Sequence, residues 1–121
     1  MLIDHIVITV SEFERSSRFY DAALAPFGIE RLMEFPGTAG YGRNGKPEFW
    51  IRAGDSVEPA HVAFAAPDHA IVDAFHEAAL AAGATDNGGP GMREIYHPNY
   101  YGAFVFDPDG HNIEAVCHGT A

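Results

Sequence analysis

The sequence predicts an α+β fold in which two βαβββ modules form curved mixed sheets around a shared cleft, with the helices outside. Three observations predict it. The chain repeats itself, because DHIVITVSEFERSSRFYDAALAPFG from Asp4 aligns with AHVAFAAPDHAIVDAFHEAALAAG from Ala60 at an offset of 56. His5 then falls on His61, Phe19 on Phe75 and Ala22–Ala25 on Ala78–Ala81, and dropping one residue brings Gly28 onto Gly83. Both copies also keep the same order of strand, helix cap, helix and terminating glycine, which alanine-rich helices would not share by chance. Further short strands separated by turn residues follow each helix. The whole chain, residues 1–121, is expected to be one domain, with modules at about 1–54 and 60–118 and GDSVEP (54–59) as connector.

Residues 4–10 have the β-branched character of a strand, and Ser11-x-x-Glu14 reads as a capping box opening a helix. Phe13, Ser16, Tyr20, Leu24 and Phe27 give that helix one face at 3.6 spacing. Strands are expected at about 29–35, 39–44 and 47–53, with Pro36-Gly37 and Asn44-Gly45 as turns. In the second half, 60–66 forms a strand and Asp68 caps a helix lined by Ile71, Phe75, Ala78, Ala79 and Ala82. Gly83 suits a left-handed cap. Strands at about 84–87, 101–107 and 111–117 complete this half, with a long loop at 88–100 and Asp107-Pro108-Asp109-Gly110 turning the last hairpin.

Seven basic residues against 17 acidic ones give a formal charge of −10, which argues against nucleic acid or an anionic membrane as partner. The chain is 47% apolar without a long apolar run, and MLIDHIVITV lacks the basic start of a secretory signal. One cysteine, Cys117, excludes an intrachain disulfide and fits a reducing compartment, so a cytoplasmic location is expected.

Glu114 sits in the middle of a strand otherwise built for burial, and a buried carboxylate needs a compensating partner. Ile6 and Ile8 alternate with His5, Val7 and Thr9, and His61 alternates with Val62 and Phe64. If the helices cover the Ile6/Ile8 and Val62/Phe64 faces, His5 and His61 point towards the cleft, where Glu114 can join them. Two imidazoles and one carboxylate form a set that holds a divalent transition metal, whether zinc, nickel, manganese or iron. The ordinary alternative is that strand histidines are hydrogen-bonded structural residues and a strand glutamate is solvated. Thr9, Trp50, Arg52 and Asn112 are candidate substrate-binding residues: Trp50 for stacking, Arg52 for a carboxylate. In the long loop, His97 is a candidate general acid or base and Tyr101 a hydrogen-bond donor. Tyr96 and Tyr100 read as residues that shape the loop, and His111 as one that orients the hairpin.

DHIVITVSEFERSSRFYDAAL, HVAF and FVFDPDGHNIEAV, with their spacings, resemble the glyoxalase/bleomycin-resistance/extradiol-dioxygenase superfamily, the vicinal oxygen chelate proteins, over nearly the whole chain. The resemblance implies a metal held by His5, His61 and Glu114, because a His opens each module and a Glu lies on the last strand of metal-dependent members. Glyoxalase I enzymes add a carboxylate from the fourth strand, but matching PEFWIR with HNIEAV puts Trp50 there, and Glu48 lies two residues away. Three protein ligands resemble instead the extradiol dioxygenases and the fosfomycin-modifying thiol transferases. The latter also need a basic set, for which this chain offers Arg52 and Arg93. The implied function is a metal-dependent lyase, isomerase or dioxygenase that chelates vicinal oxygens of a small molecule. The alternative is a metal-free binding protein of the bleomycin-resistance type. The resemblance further implies a homodimer.

Overall fold

The computed structural model describes residues 2–121. Its first module comprises β1 (Ile6–Val10), α1 (Phe13–Ala23), a short 3-10 turn (Ala25–Phe27), β2 (Glu30–Phe35), β3 (Thr38–Arg43) and β4 (Lys46–Ala53). The second comprises β5 (His61–Ala65), α2 (His69–Ala81), β6 (Thr85–Asp86), β7 (Gly91–Met92), β8 (Tyr101–Phe106) and β9 (Asn112–Cys117). The first module is thus βαβββ and the second is βαβββ with one added two-residue strand, β7, so the duplicated α+β architecture holds. The long loop is less irregular than its composition predicts, since β7 pairs with β8 inside it.

The two sheets have matching topology. The first runs β1-β4-β3-β2 and the second β5-β9-β8-β6, so each module's opening strand lies parallel to its closing strand. Strand alternation then separates two faces. Ile8, Val10, Phe49 and Ile51 are buried towards the helices, while Val7, Thr9, Trp50 and Arg52 line the helix-free face of the first sheet. Gly40 explains how Trp50 lies flat there, because a Cβ at that position would stand 2.8 Å from the indole ring.

One continuous core joins the modules. Phe27 of the 3-10 turn packs with ring centroids 5.7 Å from both Phe64 on β5 and Phe75 on α2, and Phe49 approaches Phe64 at 5.2 Å. Tyr20 and Phe19 of α1 fill the first module's share, and Val72, Phe75 and Ala79 of α2 fill the second's. Burying one such side chain is worth roughly 1.5–3 kcal/mol.

The Asp107–Gly110 turn does more than reverse the chain. Gly110 takes φ +89°, a conformation glycine adopts freely. Asp107 accepts the backbone N–H groups of Asp109 and His111 at Oδ1 and the Tyr20 hydroxyl, 2.5 Å away, at Oδ2. Asp109 accepts from the Ser11 backbone N–H and hydroxyl. His111 accepts the Ala60 N–H at Nδ1 and donates from Nε2 to the Thr9 carbonyl, at 2.9 and 2.7 Å. The turn of one module is thereby bonded to β1, α1 and the entry to β5.

This corrects the capping-box reading. The N-cap of α1 is Glu12, with no side-chain cap bond, because the Ser11 hydroxyl is spent on Asp109. Asp68 does cap α2, accepting the Ile71 N–H at 2.9 Å. Among the described residues, no helix is long and apolar enough to cross a membrane.

Candidate active site

Glu114 is 1% exposed and sits on the helix-free face of the second sheet, between Ala63 of β5 and Phe104 of β8. His61 leans across from two residues earlier in the register, on the same sheet face, and donates from Nε2 to Glu114 Oε1 over 2.8 Å. Tyr100 donates its hydroxyl to Oε2. Burial, then the bond to the Glu114 carboxylate, pushes the Tyr100 phenol well above the usual tyrosine range, so it stays a donor. The buried carboxylate therefore has a partner on each oxygen, which is what its desolvation demands.

Two hollows flank this cluster, and His61 borders both. A cleft of about 520 Å³ runs between the modules, lined by His5, Ile6, Glu48 and Phe49 from the first and by His61 and Phe64 among others from the second. A smaller cavity of about 390 Å³ lies over the second sheet, lined by His61, Asn87, Gly88, Arg93, Tyr96, Phe104 and Asn112. Asn112 borders this cavity, and its Oδ1 is buried without a hydrogen-bond partner.

The expected site residues separate into those the fold gathers and those it does not. His61, Glu114 and Asn112 share one face of the second sheet. His5 borders the same cleft as His61, but its Nδ1 contacts Asp4, 2.7 Å away, and half of its side chain is exposed. Among the described residues, no three His, Cys, Asp or Glu side chains are placed to hold one metal ion. A single chain therefore brings two of the three expected donors together, and the metal does not fit it unaided.

Thr9, Trp50 and Arg52 lie on the other sheet, away from both hollows: Thr9 gives its carbonyl to His111, and Trp50 stacks on Phe35 at 6.3 Å. Tyr101, expected as a donor, is on the helix side instead. It bonds Asp73 at 2.6 Å and stacks on His69 at 3.9 Å between ring centroids. His97 contacts the Pro98 carbonyl through Nδ1 and stacks on His118 at 4.6 Å, outside both hollows but against the Tyr100 ring.

Tyr100 is the residue that sequence reasoning passed over, and the signal for it was present. The Asp107–Gly110 turn fixes the hairpin register, pairing Phe106 with Asn112 and Phe104 with Glu114. Counting back from Phe104 in steps of two reaches Gly102 and then Tyr100, while Tyr101 falls on the opposite face.

The profile described as Glyoxalase/Bleomycin resistance protein/Dioxygenase superfamily matches residues 2–115. Among solved structures, a glyoxalase/bleomycin resistance protein from Albidiferax ferrireducens T118 is 31% identical, with 97% of this chain and 99% of that one covered at a TM-score of 0.87. A glyoxalase/bleomycin resistance protein/dioxygenase family enzyme from Burkholderia phytofirmans PsJN shares the fold at 21% identity, 96% and 98% coverage and TM-score 0.74. The fosfomycin resistance protein FosX from Mesorhizobium loti does so at 21% identity, 98% and 92% coverage and TM-score 0.70. No curated protein matches the chain. With its duplicated modules, its turn-fixed hairpin and a profile match over nearly its full length, the chain belongs to the glyoxalase/bleomycin resistance protein/dioxygenase superfamily.

Proposed function

We propose that this protein is a cytoplasmic, metal-dependent enzyme of the glyoxalase/dioxygenase type, acting on a small molecule through two neighbouring oxygens by lyase, isomerase or dioxygenase chemistry. One observation carries the reading: Glu114, buried at 1% exposure, is held beside His61, whose side chain is 54% exposed and borders both hollows. A carboxylate kept in the interior next to an accessible imidazole is a costly arrangement for packing alone and a useful one for ligation.

The third donor is His5 supplied by a second copy of the chain, so the working unit is a homodimer. Two features support this. Among the described residues His5 has only Asp4 as side-chain partner, and the helix-free face of the first sheet leaves Val7 and Met33 43% and Phe35 52% exposed. In that dimer, Thr9, Trp50 and Arg52 form the substrate wall opposite Asn112. A divalent ion of zinc, nickel, manganese or iron would supply Lewis acidity towards a substrate carbonyl. His61 and Glu114 would hold it, and Tyr100 would keep Glu114 in place.

Metal analysis of protein purified without a histidine tag tests the reading. Stoichiometric metal is expected in wild type, with loss in His5→Ala and in Glu114→Ala. Mixing the two inactive variants should restore about a quarter of the wild-type metal, since half the dimers are mixed and each carries one intact site. Unchanged metal in either variant overturns the ligand set, and no recovery on mixing overturns the shared site. The second reading, a metal-free binding protein, is favoured by the fact that His61 and Tyr100 already occupy both Glu114 oxygens within one chain. It predicts no metal in wild type.

A further inference from the structure

The smaller cavity is bordered by a charge that forms no salt bridge among the described residues. Arg93 folds back over the Phe104 ring, its guanidinium carbon 5.4 Å from the ring centroid. Two backbone carbonyls pin it there: Nη1 donates to Gly91 and Nη2 to Gly89, each at 2.8 Å. The glycines make this possible. Gly88 takes φ +136°, and a Cβ at Gly88 or Gly91 would stand 3.1 Å from the guanidinium nitrogens. A guanidinium has five N–H donors, and two are committed, so three remain open. Among the described residues, no carboxylate forms a salt bridge with Arg93, although the chain carries 17 acidic residues against seven basic ones. In so acidic a chain, an arginine fixed by neutral carbonyls and left without a counter-ion is a preformed anion site.

Asn112, the register partner of His61 on the neighbouring strand, borders the same cavity, and its Oδ1 is buried without a hydrogen-bond partner. Leaving such an acceptor unmatched is unfavourable, so a ligand that brings an N–H or O–H gains by filling it. Phe104 gives the floor an apolar surface, and about 390 Å³ suits a compact ligand rather than a peptide.

We propose that this cavity selects a small carboxylic acid that also bears a hydroxyl, placing the carboxylate on Arg93, the hydroxyl on Asn112 and an apolar group on Phe104. The inference names the substrate class of the site described above and rests on that reading. It assigns specificity to Arg93 and Asn112.

Metal-stripped, untagged protein is titrated by calorimetry with three probes: 3-phenyllactate, its uncharged amide, and 3-phenylpropionate, which lacks the hydroxyl. Wild type should bind phenyllactate about tenfold more tightly than the amide and several-fold more tightly than phenylpropionate. Arg93→Gln should abolish the preference for the acid over the amide, and Arg93→Lys should keep part of it. Asn112→Leu should abolish the preference for the hydroxyl while leaving the charge preference intact. Equal binding of acid and amide by wild type, no binding up to about 10 mM, or an acid preference retained in Arg93→Gln overturns the proposal. The wild-type probe comparison decides the matter even if a variant misfolds, which circular dichroism reports. Metal content is read on separate unstripped samples. A failed metal reading shows as absent metal with the acid preference intact, and a failed cavity assignment as no acid preference whatever the metal content.

Discussion

Glu114 shows how much one side chain can announce. Its place in mid-strand, flanked by Ile113 and Ala115, signals from the sequence that a polar partner must exist. The partner on the neighbouring parallel strand, His61, follows from the repeat. Tyr100 was harder to see because two adjacent tyrosines compete, and only the phase of β8 against its hairpin partner separates them. Their roles are therefore open to a clean comparison. Tyr100→Phe strands a buried carboxylate oxygen and should lower stability by about 1–3 kcal/mol in urea unfolding. Tyr101→Phe removes a bond to the exposed Asp73 and should change stability by roughly 0.5 kcal/mol or less. Equal losses would mean that the Tyr100 bond contributes nothing specific.

At the scale of elements, the Asp107–Gly110 turn and α1 are one unit. A turn was legible from Pro and Gly, but its reach to Ser11, Tyr20 and Thr9 was not, because those contacts span about 90–100 residues of chain. Local pattern reading assigned Ser11 to the helix that follows it, and the competing acceptor lay in the other module. Ser11→Ala and Asp109→Ala should therefore be non-additive in a double-mutant cycle, with a coupling of about 0.5–3 kcal/mol. A coupling of zero would return Ser11 to its capping role. Replacing His111 by Ala leaves the Ala60 N–H and the Thr9 carbonyl unmatched and opens a cavity, with an expected loss of about 3 kcal/mol or more. Thermal and urea unfolding of that variant check it.

For the molecule as a whole, two buried tyrosines set the alkaline limit. Burial above all, and then the charge of Asp107, raises the Tyr20 phenol well above its ordinary value. Burial likewise raises Tyr41, with the nearby charge of Asp21 adding to it. A phenol with a raised folded pKa contributes fully below its unfolded value, about 10, and progressively less as pH climbs beyond it. The tyrosine contribution to unfolding free energy should therefore be level below about pH 9 and fall above pH 10, and Tyr20→Phe should lessen that fall. An unchanged alkaline slope in that variant would assign the limit elsewhere.

The duplicated fold was legible at this scale because β-branched runs, caps and terminating glycines recur in the same order. What the repeat cannot encode is which donors meet within one chain: it makes His5 and His61 equivalent, yet Glu114 has no acidic counterpart at Trp50. The asymmetry between the halves leaves His61 paired with Glu114 across the sheet and His5 with its chain neighbour Asp4.

Each module closes by laying its last strand alongside its first. As the polypeptide leaves the ribosome, β1 finds its neighbour once Ala53 has emerged, whereas β5 waits for Asn112–Cys117. During that interval one half can be settled while an apolar ribbon from the other hangs unmatched, and a stall in synthesis there would expose it to aggregation.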